Sequence, residues 1–379
     1  MKKNVLITGG AGFIGSKLAY LLVEKKYHVR ILDNLSPQVH GLNAQAPLRL
    51  AEVAEVIVAD ITDAVAVRRA LADIDIVVHM AAETGPAQSL YEIERYTKVN
   101  VQGTAVLLQE MLSFRKHIQK LIIASSRAVY GEGKYCCNKC GTIAPEARHK
   151  EELLKGEWDH RCPICNCPLV SIPTDEWTLP APSSIYAVSK LAQEQMGLVF
   201  GQAYNIPTIA LRYQNVYGAG QSLRNPYIGI LAIFCARAIS RLPIGVYEDG
   251  GMIRDFVHVG DAVQATMLAI ENPREINGVY NVGSGKKYTV LEVAQKLVQV
   301  IGLDVQIQVT GEYRTGDIRH NYADLGKIKK HLGYEPRIDL DFGLRELFSW
   351  ASQNPGIVNL LESATNELKQ FGLFSKANQ

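Results

Sequence analysis

Tyr186 and Lys190 have the residue types and the spacing that proton transfer requires. Both fall in a predicted helix, and because residues four apart share one helical face, their side chains lie about one turn from each other. A phenol with a pKa of about 10 is a poor base at neutral pH, but a neighbouring ammonium group favours its ionised form. A lone Tyr-x-x-x-Lys is often only a surface pair. Ser126, which ends a predicted strand and could hydrogen-bond the same substrate oxygen, favours a site that takes a proton from a hydroxyl group.

A glycine-rich turn, TGGAGFIGS, is a candidate dinucleotide site. Gly9, Gly12 and Gly15 follow the first predicted strand and open a helix, so backbone N–H groups can approach a pyrophosphate at the positive end of that helix. Asp33 ends the second strand, where its carboxylate can accept hydrogen bonds from the ribose hydroxyls of adenosine. The alternative is a structural turn with a solvated aspartate. Because the aspartate would repel a 2′-phosphate, the sequence predicts NAD rather than NADP as the cofactor.

A cluster of cysteines indicates a metal site, since disulfides do not persist in a reducing cytosol. Of the 7 cysteines, all but Cys235 lie between residues 136 and 167, and Cys235 is expected in an apolar core. Two Cys-x-x-Cys pairs have a spacing close to that of a four-thiolate zinc ribbon, in which no position is left for water. These predicted ligands of a structural zinc are Cys137, Cys140, Cys162 and Cys165. Residues that could replace one of them are Cys136, Cys167, His149 and His160.

The elements that would position these residues alternate between short apolar strands and helices. The strands are predicted at residues 4–9, 28–33, 55–60, 74–82, 120–126 and 208–218. Unbroken apolar strands of this kind suit a parallel sheet buried on both faces, with helices as right-handed crossovers. The pattern predicts an α/β fold with a Rossmann-type doubly wound sheet, in which ligands bind beyond the carboxyl ends of the strands. Asp60 and Ile61, which end the third strand, are therefore candidate neighbours of adenine.

Three regions are expected along the chain. Residues 1–207 would form the NAD-binding domain, interrupted by the cysteine-rich insert at 134–170. Residues 208–355 would form mainly a smaller substrate-binding lobe, with segments that return to the first domain, and residues 356–379 would form a polar tail. We expect the insert to lie beside the substrate mouth as a lid or a subunit contact.

The composition excludes several other classes of protein. With 379 residues, of which 47% are hydrophobic and 21% charged, the chain is typical of globular proteins with a sizeable core. A formal net charge of +2 is too small for a general nucleic-acid binder. The amino terminus does not read as a signal peptide, and no run of about 18 apolar residues predicts a membrane span. We expect a cytoplasmic protein.

Six motifs in order carry a resemblance to a known family. They are TGGAGFIG, HMAA (79–82), SSRAVYG (125–131), YAVSK (186–190), RYQNVYG (212–218) and RDFVHVGD (254–261). With these motifs the chain resembles the extended short-chain dehydrogenase/reductase family over nearly all of its length except the cysteine insert. Within that family it is most similar to nucleotide-sugar 4-epimerases of the type that act on dTDP-L-rhamnose or UDP-glucose.

The resemblance implies a role for each catalytic candidate. Tyr186 would take the proton of the sugar hydroxyl, Ser126 would polarise that oxygen, and Lys190 would lower the tyrosine's pKa and hold the nicotinamide ribose. The 4-keto intermediate would turn and receive the hydride back on its other face, so that NAD is regenerated. NAD contacts are further implied for Phe13, Ile14, Asn34, Ala81, Ala82 and Asn100.

The substrate implied by the resemblance is a nucleotide sugar. Arg254 and Arg314 would bind its diphosphate, because the planar fork of arginine suits phosphate oxygens. Asn215 would lie at the sugar phosphate and Asp317 near the nucleoside. A homodimer formed through the helices that follow Tyr96 and Ser184 is implied as well.

Two positions depart from the pattern of related sugar 4,6-dehydratases. Those enzymes carry an Asp-Glu pair just after the serine or threonine, whereas this chain has Arg127 and Ala128. Dehydration is therefore disfavoured. The alternatives that stay open are epimerisation at C2, a net dehydrogenase, reductase or decarboxylase of nucleotide sugars, and a non-catalytic NAD- and zinc-binding protein.

Overall fold

The computed structural model describes residues 3–42, 44–45, 47–222, 227, 229–274, 276–354 and 358–378, with only the backbone described for 358–361. No helix within these ranges is long and apolar enough to cross a membrane.

The apolar runs predicted in the amino-terminal third all form strands. They are β1 (Asn4–Thr8), β2 (His28–Asp33), β3 (Glu55–Val58), β4 (Ile76–His79) and β5 (Lys120–Ser126). The helices between them are α1 (Phe13–Glu24), α2 (Pro37–His40), α3 (Leu48–Ala51), α4 (Ala64–Ala70), α5 (Ile93–Tyr96) and α6 (Gly103–Phe114). A π-helical segment, Thr97–Gln102, joins α5 to α6, and short 3-10 helices span Gln88–Leu90 and Arg127–Tyr130.

The cysteine-rich insert is a small antiparallel unit. Its elements are β6 (Lys134–Cys137), β7 (Gly141–Ile143), α7 (Lys150–Leu154) and β8 (Val170–Ile172). The three strands pair in the order β7-β6-β8. Because Lys134 pairs with Ile172, the insert begins and ends at neighbouring points.

The rest of the chain begins with the long helix α8 (Ile185–Tyr204). The strands that follow are β9 (Thr208–Tyr213), β10 (Asn215–Tyr217), β11 (Ile244–Val246), β12 (Ile253–Arg254), β13 (Phe256–His258), β14 (Gly278–Val282), β15 (Tyr288–Thr289), β16 (Ile307–Val309), β17 (Glu312–Arg314), β18 (His320–Asn321) and β19 (Phe374–Lys376). The remaining helices are α9 (Ile230–Ile239), α10 (Val259–Glu271), α11 (Val290–Ile301), α12 (Gly326–Leu332), α13 (Leu340–Ser352) and α14 (Val358–Gln370).

Seven parallel strands form the main sheet in the order β14-β9-β5-β4-β1-β2-β3. Both faces are buried, because alternate residues of a strand point to opposite sides. In β1, Val5 and Ile7 belong to a core that includes residues of α1 and α10. Leu6, between them, belongs to a separate core with residues of α4 and α6. The predicted Rossmann-type α/β fold is confirmed.

The strand predicted at 208–218 divides in two. β9 stays in the main sheet and ends at Tyr213, whereas β10 pairs with β13 in the second lobe. The edge strand β14 was not predicted, because its short sequence lies in a region without a clear α/β rhythm. Its pairing with β9 returns the chain to the main sheet.

The second lobe has its own core, built largely from apolar residues of α9, α11 and α13. The polar carboxyl-terminal segment packs onto this lobe as α14 and β19. Strand β19 pairs antiparallel with β17, so that Phe374 lies opposite Arg314. The segment is thereby joined to a strand that carries a predicted substrate residue.

One buried carboxylate ties helix α8 to the sheet. Glu194 is fully buried and accepts two hydrogen bonds from the guanidinium of Arg212, at 2.6 and 2.9 Å. The hydroxyl of Ser125 donates a third, at 2.6 Å. Arg212 lies on β9 and Ser125 on β5, so this one side chain links a helix to two neighbouring strands.

Replacing Glu194 with Ala should destabilise the protein strongly. The substitution leaves the Arg212 guanidinium buried without its counterion, which typically costs about 3–5 kcal/mol. The free energy of unfolding, measured by denaturant titration, checks this. Glu335→Ala is the matched control, because the Glu335–Lys329 pair is exposed and such pairs contribute at most about 1 kcal/mol. Equal losses in the two variants would contradict the role given to Glu194.

Candidate functional site

One large cavity opens at the carboxyl ends of the main-sheet strands, between the sheet and the second lobe. Its volume is about 1300 Å³, and its wall includes residues from β5, α8, β10 and β17 as well as the glycine turn. A pocket for one small molecule typically has about 300–1,000 Å³. The cavity is therefore large enough for two ligands side by side.

The glycine turn forms one end of this cavity. Gly9 has a φ of +69°, and a Cβ atom there would lie 2.7 Å from the backbone nitrogen of Ala81. A Cβ on Gly15 would lie 2.5 Å from the carbonyl oxygen of Gly9. Only glycine fits these positions, where β1, α1 and the loop after β4 come together. With Gly12, Phe13 and Ile14 these residues line the cavity.

The end of β2 holds the predicted ribose-binding carboxylate. Asp33 lines the cavity and accepts backbone hydrogen bonds from Ala11 and Leu35, both at 2.9 Å. These bonds fix the carboxylate against the glycine turn. Asn34 also lines the cavity and donates a hydrogen bond to Asp60 at 2.9 Å.

Two predicted NAD residues are not in the cavity wall. Ile61 is part of the wall, but Asp60 lies behind it. Ala81 and Ala82 line the cavity, whereas Asn100 is fully buried and binds the backbone of Glu83 and the hydroxyl of Ser189. Asn100 thus braces the loop after β4 against α8. Asp60, which accepts a hydrogen bond from Asn34, and Asn100 therefore support the cavity wall without being part of it.

The three catalytic candidates line the same part of the cavity. Ser126 ends β5, and Tyr186 lies in the first turn of α8, which the hydroxyl of Ser184 caps by accepting a hydrogen bond from Ala187. Ser89 accepts a hydrogen bond from the backbone N–H of Tyr186 at 2.9 Å. The cap and this bond fix the start of the helix that carries Tyr186 and Lys190.

Burial dominates the ionisation of this site. It raises the pKa of Tyr186, while the Ser126 hydroxyl and the positive charge of Arg127 act in the opposite direction. Burial also lowers the pKa of Lys190 to about 7, partly offset by the charge of Glu194. The sequence suggested Lys190 as the group that promotes ionisation of the tyrosine, and the structure adds Arg127 as a cation acting on it.

A hydrogen-bonded network holds Lys190. Its ammonium donates to Gln193 at 2.6 Å, and the amide of Gln193 contacts the ring of His79 at 3.1 Å. Burial, followed by the charge of Lys190, lowers the pKa of His79 to about 3. His79 is therefore neutral and serves as a hydrogen-bonding group. Sequence analysis missed Gln193, although its position three residues after Lys190 on the same helix face is a usable signal.

The substrate candidates form another part of the cavity wall, which Asn215, Arg254, Arg314 and Asp317 all line. Arg254 donates to the backbone carbonyls of Ile318 and Arg319 at 2.7 and 2.9 Å. The guanidinium of Arg314 lies over the ring of Tyr247, 5.0 Å from its centroid. Its Nε atom has no hydrogen-bond partner among the described residues.

Arg127 adds a third guanidinium to this part of the wall. It donates to Asn215 at 2.6 Å, and its pKa is lowered by burial and by the positive charge of Arg254. Burial likewise lowers the pKa of Arg254. An anion placed among these groups would reverse both effects, because an opposite charge favours the ionised form. This part of the cavity is suited to a phosphate-bearing ligand.

The carboxyl-terminal segment supplies a wall that sequence analysis did not foresee. Asn366, Lys369 and Phe374 line the cavity. Glu367 accepts hydrogen bonds from the hydroxyls of Tyr91 and Tyr227, at 2.9 and 2.8 Å. The segment therefore closes the cavity between the two lobes. Its polar sequence carried no signal of this placement.

The four cysteines predicted as metal ligands come together in the insert. The sulfur atoms of Cys137, Cys140, Cys162 and Cys165 all lie within 4.8 Å of one another. The backbone amide of Lys139 is the main cause that lowers the pKa of Cys137 to about 6. The possible replacements, Cys136, Cys167, His149 and His160, are not part of this group among the described residues.

Comparison with known proteins agrees with the architecture. Residues 5–152 and 166–283 match the profile of the NAD dependent epimerase/dehydratase family. The chain belongs to this family. The unmatched residues between the two segments lie inside the cysteine insert and include Cys162 and Cys165.

Relatives and solved structures cover nearly the whole chain. A dTDP-L-rhamnose 4-epimerase from Burkholderia thailandensis is 38% identical over 93% of this chain and 95% of its own. The crystal structure of a UDP-glucose 4-epimerase from Thermotoga maritima with UDP-glucose superposes with a TM-score of 0.74 at 29% identity, covering 92% of this chain and 99% of that one. A UDP-glucuronic acid 4-epimerase from Bacillus cereus, in complex with UDP-glucuronic acid and NAD, has the same TM-score and coverage at 26% identity.

Proposed function

We propose that the protein is an NAD-dependent nucleotide-sugar epimerase that inverts C4, acting on dTDP-L-rhamnose or a related dTDP- or UDP-sugar. The observation that carries the proposal is one cavity lined by the glycine turn, by Ser126, Tyr186 and Lys190, and by three arginines. The 38% identical relative, a dTDP-L-rhamnose 4-epimerase, supports the choice of sugar.

The residues present fit NAD. The turn around Gly9 and Gly15 leaves no space for a Cβ atom, so that the backbone itself forms the wall. Asp33 is held by two backbone N–H groups with its carboxylate at the cavity wall, where it suits ribose hydroxyls and opposes a 2′-phosphate. When bound, NAD supplies the acceptor and donor for the hydrogen on the sugar carbon.

The protein's own contribution is to move one proton at one oxygen. Tyr186 accepts the proton of the C4 hydroxyl as that carbon is oxidised, and returns it when the carbon is reduced from the other face. Ser126 donates a hydrogen bond to the same oxygen, and Lys190 orients the cofactor ribose. Because the carbon is first oxidised and then reduced, the cycle needs no net oxidant.

The arginine-lined part of the cavity would bind the diphosphate. Arg254 and Arg314 carry the charges that a diphosphate requires, and the Nε of Arg314, which has no hydrogen-bond partner in the described part of the chain, has a donor to offer. Asn215 would contact the sugar phosphate and Asp317 the nucleoside. Arg127 and Ala128 replace the acidic pair that an elimination would need, which favours epimerisation over dehydration.

The central test is to incubate the enzyme with separate dTDP- and UDP-sugars in D₂O without added NAD and follow the products by NMR. We expect a C4 epimer without deuterium in the sugar, because the hydrogen stays within the enzyme. Tyr186→Phe should retain NAD but lose about 100- to 10,000-fold in rate, the range typical of a lost general base. A C2 epimer, or turnover only with external NAD or NADH, would contradict the proposal.

The pH dependence of kcat should change when the positive charge of Arg127 is removed. Its positive charge lowers the pKa of Tyr186, so that Arg127→Met should raise that pKa. Activity that needs the phenolate increases as the pH rises through this pKa, and the rising limb of the kcat profile should therefore move to higher pH. Lys155→Gln, which removes an exposed charge on the insert, is the control. An unmoved limb in Arg127→Met would refute the electrostatic role.

We also propose that the four-cysteine group holds a structural zinc ion. Four sulfur atoms within 4.8 Å of one another suit a tetrahedral ion with Zn–S distances of about 2.3 Å. When bound, zinc would cross-link the two Cys-x-x-Cys pairs of the insert without taking part in the reaction.

Cys162→Ser should lower the zinc content, measured by atomic emission on the purified protein, because it removes one of the four thiolates. NAD binding should stay nearly unchanged, since no residue of the insert lines the cavity. Cys167→Ser, outside the group, should keep its zinc. A stable wild-type protein without zinc would overturn the assignment.

A cytoplasmic homodimer completes the proposal. Val188 and Val199 are 48% and 64% exposed, and their spacing places them on one face of α8. The π-helical segment and α6, which follow Tyr96, pack beside α8. Light scattering should give about twice the 41.8 kDa of one chain if these helices pair.

A further inference from the structure

A group of charged side chains, four of them buried, joins the cysteine insert to the loop that carries two proposed substrate residues. The loop runs from Arg314 to Arg319, between β17 and β18. The charges come from three parts of the chain: Glu132 before the insert, Arg148 and Asp159 within it, and Glu248, Asp249 and Arg319 in the second lobe. None of these residues is in the cavity wall.

Arg148 is the centre of this group. Its side chain is 3% exposed, and its Nη2 atom lies 2.8 Å from Glu248, whose side chain is 1% exposed. The same nitrogen donates to the backbone carbonyl of Asp317 at 2.7 Å. Its Nε atom lies 3.5 Å from a carboxylate oxygen of Glu132. One guanidinium therefore contacts all three parts at once.

Two arginines hold three successive carbonyl groups of the loop. Arg148 binds the carbonyl of Asp317, and Arg254 binds those of Ile318 and Arg319. Arg254 reaches the loop from the cavity, whereas Arg148 reaches it from the insert. The loop is thus fixed from both sides immediately after Arg314.

The insert is not placed to cover the cavity. No residue between 134 and 170 lines it. The contacts of the insert are instead behind the loop: Asp159 pairs with Arg319 at 2.7 Å, and Trp158 packs edge-on against Tyr313. This arrangement does not support the expectation of a lid at the cavity entrance. The insert instead packs against the side of the loop that faces away from the cavity.

We propose that Arg148 is a positioning residue, through which the cysteine insert holds the Arg314–Arg319 loop in the geometry that binds the nucleotide diphosphate. The inference rests on the proposed function, since it assumes that Arg314 and Asp317 bind substrate. Breaking a buried arginine–carboxylate contact leaves an uncompensated charge, so the insert cannot shift without displacing the loop. The metal-binding unit then acts on substrate affinity without touching the substrate.

Substitution of Arg148 should separate substrate affinity from the other properties of the enzyme. Arg148→Lys keeps the positive charge between Glu132 and Glu248 but loses the planar fork. We expect the Kd for dTDP or UDP, measured by calorimetry, and the KM for the nucleotide sugar to rise about tenfold, the effect of one lost hydrogen bond to a charged group. The kcat, NAD affinity and zinc content should stay within about twofold of wild type.

Two further variants keep the result interpretable. Arg148→Met removes the charge and should weaken nucleotide binding more than Arg148→Lys does. Lys155→Gln removes an exposed positive charge from the same insert and should change nothing. If the two Arg148 variants bind dTDP and UDP as wild type does, or lose NAD affinity and kcat to the same degree as nucleotide affinity, the positioning role is wrong.

Removal of the proposed zinc ion tests whether the insert affects nucleotide binding through Arg148. Chelation should weaken nucleotide binding to the wild-type protein by several-fold, and should add little to the loss already caused by Arg148→Met, because both act through one contact. Fully additive losses would contradict the proposal. Wild-type protein that binds neither dTDP nor UDP would instead refute the proposed function, so the two failures are distinguishable.

Discussion

The carboxylate of Glu194 sets the geometry on which the site depends. It lies four positions after Lys190 on α8 and binds Ser125, which precedes Ser126, and Arg212, which precedes the turn to Asn215. The proposed general base Tyr186, Ser126 and the proposed substrate residue Asn215 come from three different elements, and the contacts of Glu194 tie those elements together. A buried charge of this kind is costly unless every partner is in place. The contacts of Glu194 with Arg212 and Ser125 therefore favour one arrangement of α8, β5 and β9 over slightly shifted ones.

Burial shifts the pKa values of several cavity residues toward their uncharged forms, and ligands of opposite charge can reverse these shifts. Arg127 and Arg254 have lowered pKa values because they lie away from water, and Tyr186 has a raised one. Each shift disfavours the charged form, and each is relieved by an opposite charge. In the proposed complex, a diphosphate among the arginines and a positively charged nicotinamide near the tyrosine would supply those charges. The cavity is thus suited to binding both ligands at the same time, and the charge of the cofactor would favour the phenolate that the proposed mechanism requires.

Much of the fold could be predicted because it is encoded locally. The strands β1 to β5 are continuous apolar runs, and the glycine turn requires residues without a Cβ, so each leaves a signal within a few positions. The parts that could not be predicted depend on distant contacts. The strand β14 is defined by its pairing with β9. Asn100 lies in a stretch where a cofactor contact was predicted, but it hydrogen-bonds the backbone of Glu83 and supports the loop after β4. Phe374 lines the cavity from β19, whose place is set by its pairing with the distant strand β17. No local pattern contains that information.

The insert lies between Ser126 and Tyr186 in the sequence, yet both residues line the same cavity. This is possible because the first and last strands of the insert are neighbours. Strands β6 and β8 pair antiparallel, so Lys134 and Ile172 are neighbours, and the backbone N–H of Lys134 donates to Thr174 just beyond the insert. A loop closed in this way adds residues on one side of the fold while the sheet keeps its register. Contacts that leave the insert can then connect it to the proposed reaction, and Arg148 and Asp159 both reach the Arg314–Arg319 loop. If the four cysteines hold zinc as proposed, the insert would be a cross-linked support for the loop, and an addition outside the cavity would in this way contribute to substrate binding.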